Sequence, residues 1–442
     1  MELRDLIVTP LLLIVVYVVA YFIRPRVTDS LTSRYFFPAL TVKVFGAIAL
    51  GFIYQFYYSG GDTFNFHTHG SRQVWLAFTE SPAAAFKLLF GGTDQVGVYK
   101  YTSKIVFYGD PSSYFVVRIA SLFDLITFSS YSGTAVLFSL WSFAGSWALY
   151  KTFYKRYPQL HLHLAVCALF VPSVVFWGSG ILKDTLVLGA LGLATYSIDM
   201  LFNQKKIKAS VILLLIVSVY IIFHVKLFIL QAFLPAIILW VGYKKVINSP
   251  SVVVRILVFP FLLAGGAFLS YWMVTKVGEN DARYAVGNIA RTAQITAYDI
   301  GFYTGRDAGS GYSLGELDGT FGNMVAKMPQ AINVSLFRPY LWEVRNPLML
   351  LSALEGTALL AMVLYIVFSV RFRIFSILNN PDVVFALVFA LTIAFAVGIT
   401  SYNFGTLTRY RIPLLPYFTI SLALLYFRNN ERKLARLDTT EK

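Results

Sequence analysis

Eleven apolar runs, each long enough to cross a bilayer as a helix, punctuate this chain. They fall at about 6–23, 36–57, 131–150, 160–178, 182–202, 208–223, 227–243, 252–274, 347–369, 383–400 and 412–427. A hydrocarbon core about 30 Å thick needs roughly 20 residues of helix. Backbone in lipid has to satisfy its own hydrogen bonds, so such runs fold as helices. The expected fold is therefore all-α: a polytopic membrane protein of about eleven transmembrane helices. Composition agrees, with 57% of the 442 residues hydrophobic and 13% charged, about half the charged share of a soluble domain. The first run, Leu6–Phe22, follows Arg4 and Asp5 and lacks a small-residue cleavage pattern, so it reads as a retained span and not a signal peptide.

The net charge of +15 does not point to nucleic acid, because the basic residues flank apolar runs and form no soluble patch. They follow the positive-inside bias of short loops. Arg24, Arg26 and Arg34 follow the first span, Lys151, Lys155 and Arg156 the third, and Lys205, Lys206 and Lys208 the fifth. Lys244, Lys245 and Arg255, then Arg371 and Arg373, and a basic tail that ends at Lys442 continue the pattern. All lie on one side if the N-terminus is outside and the C-terminus cytoplasmic, the arrangement expected of a multi-pass protein of the bacterial inner membrane. Two long segments, about 58–130 and 275–346, then face outward and carry amphipathic helices, one around Ser81–Phe90. The stretch Tyr114–Phe128 reads as interfacial, since a full crossing there would invert the charge pattern. No linker or repeat breaks the chain, so residues 1–442 read as one integral domain. The lone cysteine, Cys167, lies in an apolar run, which removes a disulfide framework and a cysteine metal site.

Charges that defy this pattern are the candidates for function. In Pro172–Asp184, PSVVFWGSGILKD, a Gly-Ser-Gly break precedes Lys183 and Asp184 at the edge of an apolar run. Charge near membrane depth costs roughly 2.5–3.5 kcal/mol per residue on insertion scales and marks functional positions. Lys183 reads as a holder of an anion, and Asp184 as its neutraliser at a helix start. Lys226, after His224, is a residue of the same kind. Asp62 follows Gly60 and Gly61, with His67, His69 and Arg72 just beyond. It reads either as a general base or metal ligand, or as a helix N-cap. The His-x-His pair lacks a Glu or Cys partner at a diagnostic spacing, so no metal site is assigned, although a divalent cation stays open. Arg338, Trp342 and Glu343 lie in LFRPYLWEVRNP, where Arg338 has the fork geometry for phosphate and Trp342 reads as an interfacial anchor. Glu355 lies inside an apolar run and needs a basic partner. Arg409 and Arg411, in NFGTLTRYR, stand on the outward side; one residue apart, they cannot both face the same way.

Cations with a few carboxylates at one membrane surface suit a lipid that carries phosphate or pyrophosphate. No phosphate-cradling glycine loop, serine-hydrolase elbow or zinc-protease motif is present. The order of GGDTFNF, PSVVFWGSGILKD, LFRPYLWE and NFGTLTRYR resembles the GT-C-type membrane glycosyltransferases and the polytopic polysaccharide polymerases of bacterial exopolysaccharide and O-antigen clusters. The matching pieces cover about a tenth of the chain, and the acidic loop follows the second span where that family has it after the first. The resemblance implies a catalytic base at Asp62 and a polyprenyl-phosphate site at Lys183, Arg338, Arg409 and Arg411. Asp184, Glu343, Glu355, His67, His69 and Lys226 would support them. The activity expected is transfer of a sugar or glycan from a polyprenyl phosphate or pyrophosphate carrier. The alternative is a transporter or flippase of lipid-linked glycans, which calls for midplane charge and internal repeats; only Lys43 and edge residues such as Asp199 offer the former.

Overall fold

The computed structural model describes residues 2–246, parts of 257–275, and residues 288–302, 309–370 and 380–440, without the side chains of 245–246 and 428–440. Part of the run 252–274 lies outside the described residues, as do Arg255, Arg371, Arg373 and Lys442. The described chain is helical, and its one extended pairing is an isolated bridge between Gly311 and Asn403.

Among the described residues, six helices are long and apolar enough to cross a membrane, or up to eight if each of two bent pairs is one span. The six are Leu3–Val27, Ser33–Tyr57, Lys183–Asn203, Leu227–Lys244, Pro347–Val370 and Pro381–Thr400. The bent pairs are Pro111–Thr127 with Tyr131–Tyr154, and Phe404–Tyr410 with Leu415–Phe427. The expected run 160–178 is not one span but two short helices, His161–Leu169 and Pro172–Trp177. Pro172 explains the break: it lacks an N–H and pushes the residue before it away from helical geometry. The run 208–223 forms the shorter apolar helix Ala209–Val225.

The contacts divide the chain into two compact units. The first holds Met1–His161 and Val174–Leu227. At its centre helix Tyr131–Tyr154 packs on Lys183–Ile198 and on Ser33–Phe52. Glycines set the first crossing: a Cβ on Gly145 would strike the Gly189 backbone, and one on Gly192 the Gly145 backbone. Small residues let membrane helices approach this closely, where packing replaces the hydrophobic drive. The stretch 58–130 is itself mostly helix: Asp62–Phe66, Arg72–Glu80, Pro82–Phe90, Tyr99–Thr102 and Pro111–Thr127. The last of these turns by 115° into Tyr131–Tyr154. The corner rests on Phe128 and Ser129, both left-handed at φ 53° and 55°, and on Ser130, whose hydroxyl caps the next helix at the Gly133 N–H.

The second unit holds Leu162–Ser173 and Phe228–Lys442. Helix Met328–Phe337 packs on Pro381–Thr400, with Gly398 against the Ala331 carbonyl. Beyond Thr400 the chain is pinned to the segment around Gly311. Phe404 N–H donates to the Ser310 carbonyl at 2.8 Å, and Tyr312 N–H to the Tyr402 carbonyl at 3.1 Å.

Candidate functional site

In the first unit Lys183 and Asp184 open one helix and serve different partners. Successive helical residues diverge by about 100°, so the pair does not neutralise itself. Lys183 Nζ donates to Asp110 Oδ2 at 3.2 Å and to Ser112 Oγ at 2.6 Å. Its side chain is 22% exposed and that of Asp110 39% exposed, so this pair meets solvent. Asp110 is also the N-cap of Pro111–Thr127 and accepts from the Ser113 N–H at 3.2 Å. Partial burial works to raise its carboxyl, but the Ser113 hydrogen bonds and the Lys183 ammonium outweigh it and hold the group at about 2. Asp184, by contrast, is fully buried and accepts from Lys226 Nζ at 2.5 Å. Lys226 thus belongs to the interior of the unit, not to its rim.

The Gly178-Ser179-Gly180 break is held from behind by Lys43, which is buried in helix Ser33–Phe52. Its ammonium donates to Ser142 Oγ at 3.0 Å, to the Val174 carbonyl at 3.0 Å and to the Gly178 carbonyl at 3.1 Å. Three donors meet three neutral oxygens; the Val174 carbonyl also accepts from the Gly178 N–H at 3.2 Å and the Gly178 carbonyl from Ser142 Oγ at 2.6 Å. A Cβ on Gly180 would meet the end of the Leu50 side chain, which would have to shift.

Asp62 is the first residue of helix Asp62–Phe66, and the cap before it is Gly61 at φ 118°. The N-cap reading therefore passes to Gly61; Asp62 sits half-buried one position on, where a carboxylate favours the positive end of the helix. His67 and His69 do not share a face. His67 is buried, with Nε2 3.4 Å from Asp124 Oδ1, and Asp124 accepts from Ser71 Oγ at 2.7 Å and Thr134 Oγ1 at 2.6 Å. His69 is exposed, and its carbonyl accepts from the Val106 N–H.

The second unit holds the arginines. Arg338 forks onto Glu343: Nε lies 3.1 Å from Oε1 and 3.0 Å from Oε2, and Nη2 donates to Oε1. Its guanidinium stands 5.2 Å from the Phe404 ring centre and 5.7 Å from that of Tyr312. The bond to Glu343 raises the arginine further above its ordinary range, and Glu343, despite burial that works to raise it, is lowered by Arg338 and the Tyr340 N–H. Arg411 is fully enclosed. Its Nη2 donates to Glu355 Oε1 at 3.1 Å and its Nη1 to the Arg338 carbonyl at 3.4 Å. Glu355 also accepts from the Ser173 N–H at 2.9 Å and Oγ at 2.7 Å. Arg411 thus supports the chain beneath Arg338 and does not itself face outward. Arg409 is half-buried, with its guanidinium 5.9 Å from the Tyr410 ring. Trp342 is 81% exposed and stacks on Tyr340.

Sequence reading missed Asp110, Ser112 and Asp124, and named Lys43 only as a charge near the midplane. The run Asp-Pro-Ser-Ser at 110–113 is a legible capping signal, but nothing local ties it to a lysine 73 residues away. Among the described residues no three His, Cys, Asp or Glu side chains gather as a metal site. No known protein family, curated protein or solved structure matches this chain.

Proposed function

We propose that the protein is a membrane glycosyltransferase or glycan polymerase that takes a sugar or glycan from a polyprenyl phosphate or pyrophosphate carrier on the extracytoplasmic face. The observation that carries this reading is the Lys183–Asp110 pair. An ammonium at the mouth of an apolar helix is held by a solvent-exposed carboxylate and a serine hydroxyl, partners that a lipid-borne phosphate can replace without stranding a buried charge.

In the transfer step an acceptor hydroxyl oxygen attacks the anomeric carbon of the carrier-bound sugar. The bond from that carbon to the carrier phosphate oxygen breaks, the phosphate leaves with the electron pair, and Asp62 takes the hydroxyl proton. Lys183 offsets the charge that develops on the leaving phosphate. For Arg338 and Arg409, in the second unit, the phosphate-binding roles rest on the resemblance alone and enter no step here, and Arg411 holds the chain that bears Arg338. The eleven-span topology, with the N-terminus outside and the C-terminus in the cytoplasm of a bacterial inner membrane, belongs to the same proposal. Lys43 supports an enzyme over a flippase. Lys43, in the middle of a span, has all three donors committed to the protein's own oxygens, so it offers no mobile charge to a passing headgroup.

The test is release of carrier phosphate and formation of glycan by the purified protein in liposomes that contain a polyprenyl-phosphate-linked sugar. Lys183→Gln should raise the KM for the lipid donor by about tenfold or more, the loss of one charge-assisted contact. An unchanged KM would remove Lys183 from the carrier site.

A further inference from the structure

Within the second unit a groove of about 680 Å³ opens beyond the end of helix Pro381–Thr400. We infer that this groove binds a neutral oligosaccharide, which on the transferase reading is the acceptor glycan. Its floor is aromatic. Tyr298 and Phe302, one turn apart on a helix, lie nearly parallel at 10° with ring centres 5.9 Å apart. They are 68% and 45% exposed, a large apolar area that the described protein leaves uncovered. Tyr402 lines the groove as well. Its backbone is in the left-handed region at φ 38°, a conformation that non-glycine residues hold only when their surroundings enforce it. Here the Tyr312 N–H on the Tyr402 carbonyl and the Tyr402 hydroxyl on the Gly315 carbonyl, at 3.3 Å, enforce it.

The polar lining is of one kind. Gln294, Glu316 and Asp318 present amide and carboxylate groups, and no lysine or arginine lines the groove among the described residues. Asp318 is exposed, and hydrogen bonds from the Thr320 hydroxyl and N–H hold its carboxyl below the ordinary range, so it is an acceptor only. The Lys327 ammonium stands beside Gly315, but the two carboxylates outnumber it, and an excess of acceptors disfavours phosphate and suits hydroxyl donors. Flat rings suit the C–H-rich face of a pyranose. The rings form an open platform, not the enclosing cage that a quaternary ammonium requires.

The Tyr402 ring centre lies 5.5 Å from that of Tyr312, and Tyr312 carries the Arg338 guanidinium on its face at 5.7 Å. Within this unit the acidic, aromatic groove therefore lies one ring away from Arg338.

Binding is separable from turnover. The purified full-length protein, in detergent and without lipid donor, should bind at least one of a panel of tetrameric neutral glucans, mannans and N-acetylated glucosamine oligomers in calorimetry. Tyr298→Ala and Glu316→Gln should each weaken that binding by about tenfold, with the Tm unchanged. Failure to bind any of the panel at millimolar concentration, or binding that both variants retain, overturns the groove assignment and leaves the Lys183 reading standing. Binding of tetramethylammonium in preference to the glycans overturns it too. Glycan binding by a protein that never transfers sugar from the lipid donor confirms the groove and sinks the transferase.

Discussion

Lys183 and Asp184 are neighbours along the chain whose charges go to opposite ends of an energetic scale. The buried Asp184–Lys226 pair is a structural commitment, because removal of one partner leaves an uncompensated charge away from water. The Lys183–Asp110 pair is partly exposed and contributes little to stability in solvent, which leaves Lys183 available to a ligand. The Asp110 carboxyl, depressed to about 2 from its ordinary value, gives a signed expectation. A group depressed by folding contributes stability above its unfolded pKa of about 4. That contribution fades as the pH falls through the folded value. The Tm difference between wild type and Asp110→Asn should be present at neutral pH and vanish as the pH approaches 2. A difference constant across that range would mean that the carboxylate charge plays no part. Glu355→Gln belongs to the other class: with Arg411 fully buried, its loss should cost about 3–5 kcal/mol of unfolding free energy in denaturant titration.

Among the helices, breaks and close crossings matter more than length. Pro172 and the Gly178-Ser179-Gly180 sequence interrupt the ladder, and Lys43 adds a charged donor to the Val174 and Gly178 carbonyls. Lys43→Met keeps the side-chain bulk and removes those donors, so it should lower stability by about 1–3 kcal/mol, the net contribution of hydrogen bonds from a charged donor. Gly189→Val should be worse, since Gly145 and Trp141 already occupy the space around Gly189. Loss of a monodisperse purified protein would register it, and normal yield and Tm would mean that the crossing is looser than described. These elements differ in how far the sequence revealed them. Long apolar runs such as 383–400 announce their helices, because burial in lipid and backbone satisfaction demand the same answer. The run at 160–178 misled because hydropathy counts Pro172 as one residue among many, while its ring ends a helix. The Asp110–Lys183 contact and the Arg338 ring cluster were illegible, since each joins residues far apart in sequence and no local pattern encodes which distant loops meet. The groove at Tyr298 and Tyr402 was hidden for the same reason.

For the molecule as a whole the described residues establish a helical membrane protein in two compact units, with six to eight candidate spans. Topology can be read directly, because the lone Cys167 is buried and an introduced thiol would react by itself. Cysteines placed at Gly92 and Gly322 should label with a membrane-impermeant maleimide in intact cells, and labelling only after permeabilisation would invert the proposed orientation. The catalysis proposed above rests on Asp62, a half-buried carboxylate at the start of a helix behind two left-handed glycines. The decisive measurement is sugar transfer from a polyprenyl-phosphate-linked donor by Asp62→Asn in liposomes, beside wild type. The account predicts that glycan product falls by at least about a hundredfold, the scale of a lost general base, while the donor KM and the Tm hold. Undiminished transfer by Asp62→Asn would contradict it.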